Sequence, residues 1–317
     1  MNQVQFKQKH LLGLAELSKE EIELILSTAV PMKQIFTRSV KKVPVLRGKT
    51  VVNLFYEPST RTRTSFEIAA KRLSADVINV TPSTSSISKG ESLVDTAKTL
   101  EAMNSDIIVV RHKASGAPHF LARRASSPII NGGDGFHEHP SQALLDLFTI
   151  KEKKGDIKDL KIAIVGDILH SRVSRSDIIG IHKLGGEVRV VGPPTLIPKD
   201  IEKLGCSVYH RLEDALEGID VIYCLRIQTE RQTHKLFPSV TEYTRLYAIN
   251  EARLKLAKKD AIVMHPGPMN RGIELSADVA YSDRSTITEQ VTNGIAIRMA
   301  IFFLLLGGGR SVQEITD

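Results

Sequence analysis

The sequence predicts an α/β protein of two doubly wound parallel-sheet domains that are linked by helices. Short apolar, β-branched runs alternate with amphipathic stretches along almost the whole chain, which is the pattern of parallel strands joined by crossover helices. The 317 residues, 42% of them hydrophobic, suffice for two such domains, each with its own core. A charged, glycine-bearing stretch at 151–161 interrupts the alternation, and we interpret it as the linker between the two domains.

The first half begins with a capping box at Ser18-Lys19-Glu20-Glu21, which opens a helix. Four strands are predicted, over residues 49–56, 76–80, 106–112 and 128–131. Helices are predicted over residues 65–73, 91–103 and 139–150. The fourth strand leads into a glycine-rich turn at 132–135.

The second half repeats the alternation. Five strands are predicted, over residues 161–165, 187–191, 207–210, 221–225 and 261–264. Helices are predicted over residues 174–184, 198–204, 212–216 and 250–257. A last helix over 288–306 is apolar on most sides, so we expect it to be buried.

Residues 59–64 are the first candidate site, a run of hydroxyl and guanidinium side chains between a predicted strand and a predicted helix. The strand breaks at Glu57-Pro58, and either of the two hydroxyl residues that follow can cap the helix. A helix start offers unpaired N–H groups and partial positive charge, and arginine adds a fork that fits phosphate. Capping alone does not explain Arg61 and Arg63 at a helix end that disfavours cations. We therefore predict a small phosphate compound as the ligand.

Composition narrows the class of partner and the compartment. A net charge of +7 and a pI of about 9.3 suit either nucleic acid or an acidic small substrate. The basic residues are scattered and the chain has no tryptophan, so a base-stacking surface has little support. Cys206 and Cys224 lie in apolar contexts, as buried free thiols do in a reducing cytoplasm. We expect a cytoplasmic protein that contacts neither nucleic acid nor membrane.

Further polar residues follow the predicted strands, where ligands of doubly wound sheets bind. They are Arg111, His139, Gln142, Arg172, Arg226 and the turn His265-Pro266-Gly267-Pro268. Taken singly, each arginine is better explained as a surface residue and the histidine as a satisfied structural one, and the alternative for the turn is a rigid connection. Neither a GxGxxG fingerprint nor an HExxH or CxxC spacing occurs, so we predict no nicotinamide cofactor and no metal.

Five segments together resemble one family. They are STRTRTSFE from Ser59, SKGES from Ser88, GDG…HPSQALLDLFTI from Gly133, LRIQTER from Leu225 and HPGPMNRG from His265. Their order is similar to that of catalytic chains in the aspartate/ornithine carbamoyltransferase family, and the resemblance runs nearly end to end. Ornithine-specific members have His-Cys-Leu-Pro where this chain has His265-Pro266-Gly267-Pro268, so the chain looks like the aspartate-specific branch. The resemblance implies transfer of a carbamoyl group from carbamoyl phosphate to L-aspartate, the committed step of pyrimidine synthesis.

The resemblance also implies roles for residues. Carbamoyl phosphate would be held by Ser59, Thr60, Arg61, Thr62, Arg111, His139, Gln142, Pro266, Gly267 and Pro268. Aspartate would be held by Arg172 at its α-carboxylate and by Arg226, Gln228 and Lys89 at its β-carboxylate. The residues expected to act in catalysis are Arg61, Thr62, Arg111, His139 and Lys89. The departing phosphate would accept the proton, so no cofactor is expected.

Family members also suggest the organisation and assembly of the chain. Residues 1–150 would form a carbamoyl-phosphate domain, rejoined by a terminal helix at 288–317, and residues 151–287 an aspartate domain. Ser85 and Lys89 would reach into a neighbouring subunit's site, which makes a homotrimer the active unit. A regulatory chain and a dihydroorotase are further candidate partners. The alternatives are an ornithine-type transcarbamoylase and a non-catalytic assembly or nucleic-acid-binding protein on the same scaffold.

Overall fold

The computed structural model describes residues 6–81, 90–228 and 237–307. The chain divides into two compact units. The first unit comprises the chain up to Leu145 together with residues from Thr292 onward, and the second comprises Asp146–Val291. Both boundaries fall inside helices, so the chain passes from one unit to the other within a helix at each boundary.

The first unit alternates strands and helices as far as the start of its last long helix. Its helices are α1 (Lys19–Gln34), α2 (Thr60–Arg72), α3 (Leu93–Ala102), α4 (Ala117–Ala122) and the first part of α5 (Pro140–Lys154). Its strands are β1 (Thr50–Phe55), β2 (Asp76–Val80), β3 (Ile107–His112) and β4 (Ile129–Asp134). A 3₁₀ turn at Ile35–Thr37 follows α1, whose capping box at Ser18 is formed as predicted.

The four strands form one parallel sheet in the order β2-β1-β3-β4. Val52 of β1 is in register with Ile78 on one side and Ile108 on the other. Leu11 pairs with Ile130 along the outer edge of β4, which covers part of that exposed edge. Alternating residues of β1 and β3 pack on α3 in one buried cluster, as expected for a sheet covered by crossover helices.

The second unit carries the remaining elements. Its strands are β5 (Lys161–Val165), β6 (Glu187–Val191), β7 (Cys206–Tyr209), β8 (Val221–Cys224) and β9 (Ile262–Met264). Its helices are α6 (Arg172–Lys183), α7 (Leu212–Leu216), α8 (Val240–Tyr247), α9 (Glu251–Leu254), α10 (Ala277–Ala280) and the first residues of α11 (Ile287–Leu306). Two 3₁₀ turns lie at Pro194–Leu196 and Ile201–Leu204. The five strands form a parallel sheet in the order β7-β6-β5-β8-β9.

Two doubly wound parallel sheets confirm the predicted fold class, with corrections at several boundaries. The glycines at 132–133 lie within β4 instead of forming a turn, and they fall where the register between β3 and β4 shifts, between the pairs Val110–Asn131 and His112–Asp134. Lys151–Lys154 belong to α5, which shortens the predicted linker. The helix predicted over 198–204 is only a 3₁₀ turn, and the one over 250–257 is the single turn α9. Helices α4, α8 and α10 were not predicted.

Helix α11 is long and apolar enough to cross a membrane by length and composition, but 61% of its most apolar window is buried inside the protein. Phe302 makes an edge contact with Phe66 of α2, their ring centres 5.8 Å apart. Helix α11 is therefore the buried helix that the sequence predicts. Both cysteines are buried and free, as predicted, and burial raises the pKa of the Cys206 thiol to about 11.

Candidate active site

Each sheet has one place where the strand order reverses direction. In the first unit this switch point lies between β1 and β3, and in the second unit between β5 and β8. Crossover helices on either side of a switch point leave on opposite faces, so a crevice opens at the carboxyl ends of these two strands. We define the first crevice as the carboxyl ends of β1 and β3, and the second crevice as those of β5 and β8.

The predicted anion-binding turn lies at the first crevice. Helix α2 begins at Thr60, so Arg61 and Thr62 belong to its first turn, whose N–H groups have no partner inside the helix. Ser59 occupies the N-cap position with an extended backbone, but its side chain makes no capping bond within α2. The Ser59 hydroxyl thus makes no hydrogen bond that caps the helix, and Thr60 and Arg61 are exposed.

Arg111 ends β3 and meets this turn. The residue is 9% exposed, and its Nη1 donates to the Thr62 hydroxyl at 3.5 Å and to the Gly132 carbonyl at 3.3 Å. The Nη2 atom forms an ion pair with Glu57, at 2.6 Å from Oε1. The structure therefore brings together Arg111 and Thr62, two residues predicted to polarise a substrate, and rejects the surface-residue alternative for Arg111.

Glu57 was missed by the sequence analysis, which treated Glu57-Pro58 only as a strand break. Its carboxylate lies between the end of β1 and Arg111, where it partly neutralises a buried guanidinium. The available signal was an acidic side chain directly before a basic turn. In a predicted anion site, such a residue indicates an internal partner for one of the cations.

His139 directly precedes α5 and is 4% exposed. Its carbonyl accepts from the N–H of Gln142 at 3.0 Å, so the two predicted residues share the first turn of α5. The preceding turn is held by Glu138, whose backbone N–H donates to Asp134 at 3.2 Å and whose carboxylate accepts from Leu14 at 2.8 Å. His139 is therefore placed by a buried network at the carboxyl end of β4, the strand beside β3.

A buried arginine from α11 connects the two helices that start near this crevice. Arg298 is 3% exposed, and its Nη1 donates to the Ser65 hydroxyl of α2 at 2.9 Å. Its Nη2 donates to the Ser141 hydroxyl of α5 at 3.4 Å, and its guanidinium lies 4.9 Å from the Phe66 ring centre. This contact ties together α2, which carries Thr62, and the first turn of α5, which carries Gln142.

The second crevice is organised by a buried aspartate–histidine pair. Asp167 follows β5, and its Oδ1 lies 2.8 Å from Nδ1 of His170. The same carboxylate accepts from the backbone N–H of Gln228 at 3.2 Å, and the Gln228 side chain donates to the His170 carbonyl at 3.1 Å. Gly166 permits this approach, because a Cβ there would meet the Leu225 carbonyl at 2.8 Å. Gln228, a predicted aspartate ligand, is thereby fixed.

The two predicted carboxylate clamps border this second crevice. Arg172 is the first residue of α6 and only 4% exposed, which excludes the surface alternative for it. Ser171 caps that helix by accepting from the N–H of Ser174 at 3.1 Å. Arg226 follows β8 and is half-buried. Guanidinium groups at these two places can each bind a carboxylate through paired hydrogen bonds.

The proline turn after β9 is also held from inside the second unit. His265 is buried, its Nδ1 accepts from the N–H of Gly267 at 2.8 Å, and its Nε2 lies 3.3 Å from the Glu274 carboxylate. Glu274 also accepts from Asn270 N–H at 2.5 Å. The predicted residues Pro266, Gly267 and Pro268 thus sit in a fixed loop at a strand end. Ser85 and Lys89 lie outside the described residues.

Two family models match the chain. The carbamoyl-phosphate-binding domain of aspartate/ornithine carbamoyltransferases matches residues 9–152, and the aspartate/ornithine-binding domain matches residues 158–305. The chain is 63% identical to the aspartate carbamoyltransferase catalytic subunit of Desulforamulus reducens, over 96% of this chain and 97% of that one. It is 62% identical to that of Moorella thermoacetica, over 96% and 99%.

Solved structures of the same kind are similar in fold. The aspartate transcarbamoylase of Trypanosoma cruzi in complex with aspartate and phosphate is 32% identical, with a TM-score of 0.82 over 94% of this chain and 95% of that one. The ornithine carbamoyltransferase of Pyrococcus furiosus is also 32% identical, with a TM-score of 0.85 over 97% and 100%. Similarity to these two structures therefore does not separate the two acceptor specificities, whereas the relatives at 62–63% identity are both aspartate carbamoyltransferase catalytic subunits.

Proposed function

The chain belongs to the aspartate/ornithine carbamoyltransferase family, and from that membership we propose that it transfers the carbamoyl group of carbamoyl phosphate to L-aspartate. The products are N-carbamoyl-L-aspartate and inorganic phosphate, in the committed step of pyrimidine synthesis. The observation that favours aspartate over ornithine is the pair Arg172 and Arg226 at the second crevice. Two guanidiniums match a dicarboxylate, whereas the cationic side chain of ornithine would be repelled.

The reaction needs electrostatic stabilisation more than proton transfer by the protein. The neutral amine of aspartate attacks the carbamoyl carbon, and the C–O bond to phosphate breaks after a tetrahedral intermediate forms. Negative charge develops on the carbamoyl oxygen, where Thr62, Arg111 and His139 are the proposed donors. The amine proton leaves with the departing phosphate, so the mechanism requires no general base from the chain and no cofactor.

The first crevice supports the role of a carbamoyl-phosphate site. The start of α2 supplies backbone N–H groups, the Ser59 hydroxyl, which makes no capping bond, and the exposed Arg61 to the phosphate. Arg111 and Thr62 are already in contact with each other. We assign Gln142 and the carbonyls of the 266–268 turn to the carbamoyl NH₂ group.

The second crevice supports binding of the acceptor. Arg172 is assigned to the α-carboxylate, and Arg226 with Gln228 to the β-carboxylate. The Asp167–His170 pair fixes Gln228 before substrate arrives, which reduces the ordering cost of binding.

The proposed active unit is a homotrimer in the cytoplasm, in which Ser85 and Lys89 complete the site of a neighbouring subunit. A regulatory chain or a dihydroorotase remains a candidate partner. Light scattering should give about three times the 35.0 kDa mass of the chain. Mixing inactive Arg61→Ala and Lys89→Ala variants should restore activity, because hybrid trimers contain some sites with both residues intact. A mixture that stays inactive after subunit exchange contradicts the shared site.

The deciding experiment measures phosphate release from carbamoyl phosphate with L-aspartate or L-ornithine as acceptor. We expect turnover with aspartate only, and its loss in Arg61→Ala. The matched control is Arg211→Ala, since Arg211 is an exposed arginine of the second unit whose partner Asp214 lies 3.9 Å away. Turnover with ornithine would overturn the acceptor assignment, and no turnover with either would favour a non-catalytic protein.

A further inference from the structure

A compact group of metal-ligand side chains lies outside the residues assigned above. His119 is in α4, Asp134 is the last residue of β4, and His137 is in the turn that precedes α5. One potential ligand atom from each residue lies within 4.8 Å of those of the other two. We call these three residues the histidine–aspartate cluster. All belong to the first unit.

The separations inside the cluster are close to those of a metal site. Nδ1 of His137 lies 3.2 Å from Oδ2 of Asp134. Two atoms that each lie 2.0–2.1 Å from a tetrahedral zinc ion are about 3.3 Å apart. The ring centres of His119 and His137 are 5.2 Å apart in an edge arrangement. Small side-chain movements suffice to place both imidazoles on one ion together with the carboxylate.

His119 is oriented as metal-binding histidines are. Its Nε2 lies 2.8 Å from Oε1 of Glu16. Its Nδ1 is buried and has no hydrogen-bond partner among the described residues. In metal sites one ring nitrogen commonly bonds to a carboxylate while the other binds the ion. Glu16 and His119 already form the first part of that arrangement.

Asp134 is held rigidly as the third ligand. It is fully buried, its Oδ1 accepts from the Asn131 side chain at 2.8 Å, and its Oδ2 accepts from the N–H of Gly116 at 2.6 Å. Gly116 is the residue before α4, so Asp134 also fixes the start of the helix that carries His119. The side chains of His119 and His137 are 26% and 40% exposed, which leaves an entry path for an ion.

We propose that the histidine–aspartate cluster binds one divalent transition-metal ion, with His119, Asp134 and His137 as ligands and Glu16 orienting His119. Two imidazoles and one carboxylate suit Zn²⁺, Co²⁺, Ni²⁺ or Cu²⁺ and do not suit Mg²⁺ or Ca²⁺, which prefer oxygen ligands. Three protein ligands leave a fourth position for water or another small ligand. The ion would tie α4 to the turn that ends at His139. The proposal goes beyond carbamoyl transfer and does not depend on it.

Metal titration of the purified full-length chain tests the proposal. After treatment with a chelator, the wild type is titrated with Co²⁺ by visible absorbance and with Zn²⁺ by calorimetry. We expect one ion per chain, retained in excess Mg²⁺. His119→Gln and His137→Gln should abolish stoichiometric binding, and Glu16→Gln should weaken it by about 10- to 100-fold. His210→Gln is the matched control, because His210 is an exposed histidine of the second unit.

Equal binding by the wild type and both histidine variants would overturn the site, as would absence of binding by the wild type. If a histidine variant does not fold, anomalous diffraction from wild-type crystals soaked in Zn²⁺ decides instead. A peak about 2.1 Å from both imidazoles supports the proposal, and a peak only elsewhere rejects it. Neither measurement uses enzymatic activity, so the outcome is separable from that of the proposed function.

Discussion

The two crevices arise from the same kind of reversal in strand order, yet the helices that start beside them are capped differently. At the first crevice, Ser59 stands at the N-cap of α2, and its side chain makes no capping bond to that helix. At the second, Ser171 caps α6 through the N–H of Ser174. The first-turn N–H groups of α2 therefore receive no bond from the side chain at its N-cap, whereas one N–H at the start of α6 is bonded to Ser171.

This difference indicates that the first crevice can use backbone N–H donors for its ligand, whereas the second depends more on side-chain donors. Phosphate, with several oxygens, can take up many N–H groups of an uncapped helix start. A carboxylate has only two oxygens and is matched by one guanidinium. On the proposed assignment, the first crevice combines backbone, hydroxyl and arginine donors, while the second relies on Arg172 and Arg226. The two crevices would then bind different ligands through different caps and side chains on the same kind of topology.

The largest expected effect tests the first crevice. Arg111→Gln should lower kcat by about 10²- to 10³-fold, because it removes one donor to the developing oxyanion. The substitution also removes the ion pair between Arg111 and Glu57. The double variant Glu57→Gln/Arg111→Gln removes the Glu57 charge as well and is the control. Recovery of activity in the double variant would show that Arg111 serves only to neutralise Glu57.

The next effect tests the second crevice. Arg172→Gln should raise the KM for aspartate by about 10- to 150-fold. This range corresponds to the roughly 1.5–3 kcal/mol that a hydrogen bond to a charged group contributes. The KM for carbamoyl phosphate should change little if the two crevices bind different substrates. Arg211→Gln, an exposed arginine of the same unit, should alter neither constant. A parallel rise in both constants for Arg172→Gln would argue against the division between crevices.

A smaller effect concerns a buried residue of α6, the helix that begins at Arg172. Asp177 is buried, neither of its carboxyl oxygens has a hydrogen-bond partner among the described residues, and burial, together with the nearby Asp146 charge, raises its pKa well above the ordinary value. The unfolded chain ionises this group near pH 4, so it reduces stability increasingly as pH rises above that value.

Asp177→Asn should therefore stabilise the protein by about 1–2 kcal/mol at pH 7, since it removes most of this cost. The gain should disappear below about pH 4, where Asp177 is protonated in both states. Thermal unfolding of both proteins across pH 3–8 checks the sign. The exposed Asp214→Asn serves as control and should stay within about 0.5 kcal/mol of wild type. A gain independent of pH would mean that charge is not the cause.

The smallest effects compare Ser59, whose side chain makes no capping bond, with Ser18, which caps α1. Ser59→Ala should leave the free energy of unfolding within about 0.5 kcal/mol of wild type but raise the KM for carbamoyl phosphate by about 2- to 10-fold. Ser18→Ala, which breaks the formed cap of α1, should destabilise by about 1 kcal/mol without changing that KM. A loss of stability in Ser59→Ala similar to that of Ser18→Ala would mean that Ser59 is an ordinary cap.

Sequence reasoning located the elements whose signals are local. The strand–turn–helix around residues 59–64 was predictable, because a hydroxyl-rich, arginine-bearing run follows an apolar strand. Arg111 and His139 were identifiable as strand-end residues, but their burial was not, since it depends on Glu57 and Glu138. Helix α8 had a usable signal that was overlooked, the helical spacing of Val240, Tyr243 and Tyr247.

Long-range assembly could not be predicted from local pattern. His119, Asp134 and His137 match no metal-ligand motif, and parallel strands and α4 must form before they become neighbours. Asp177 looks like an ordinary polar residue of an amphipathic helix, and only packing buries it. In both cases the property belongs to the folded surroundings of the residue and leaves no trace in its sequence neighbours.

Residues 146–291, which form the second unit, separate two parts of the first unit along the chain. Arg298, which bonds Ser65 and Ser141, therefore leaves the ribosome long after its partners. At about 5–20 residues per second, translation of the intervening unit takes about 7–30 s. During that interval the nascent first sheet lacks the helix that covers Phe66. The second unit is synthesised as one uninterrupted segment, so it can complete its core first, and the earlier half of the polypeptide is the part that chaperones must shield.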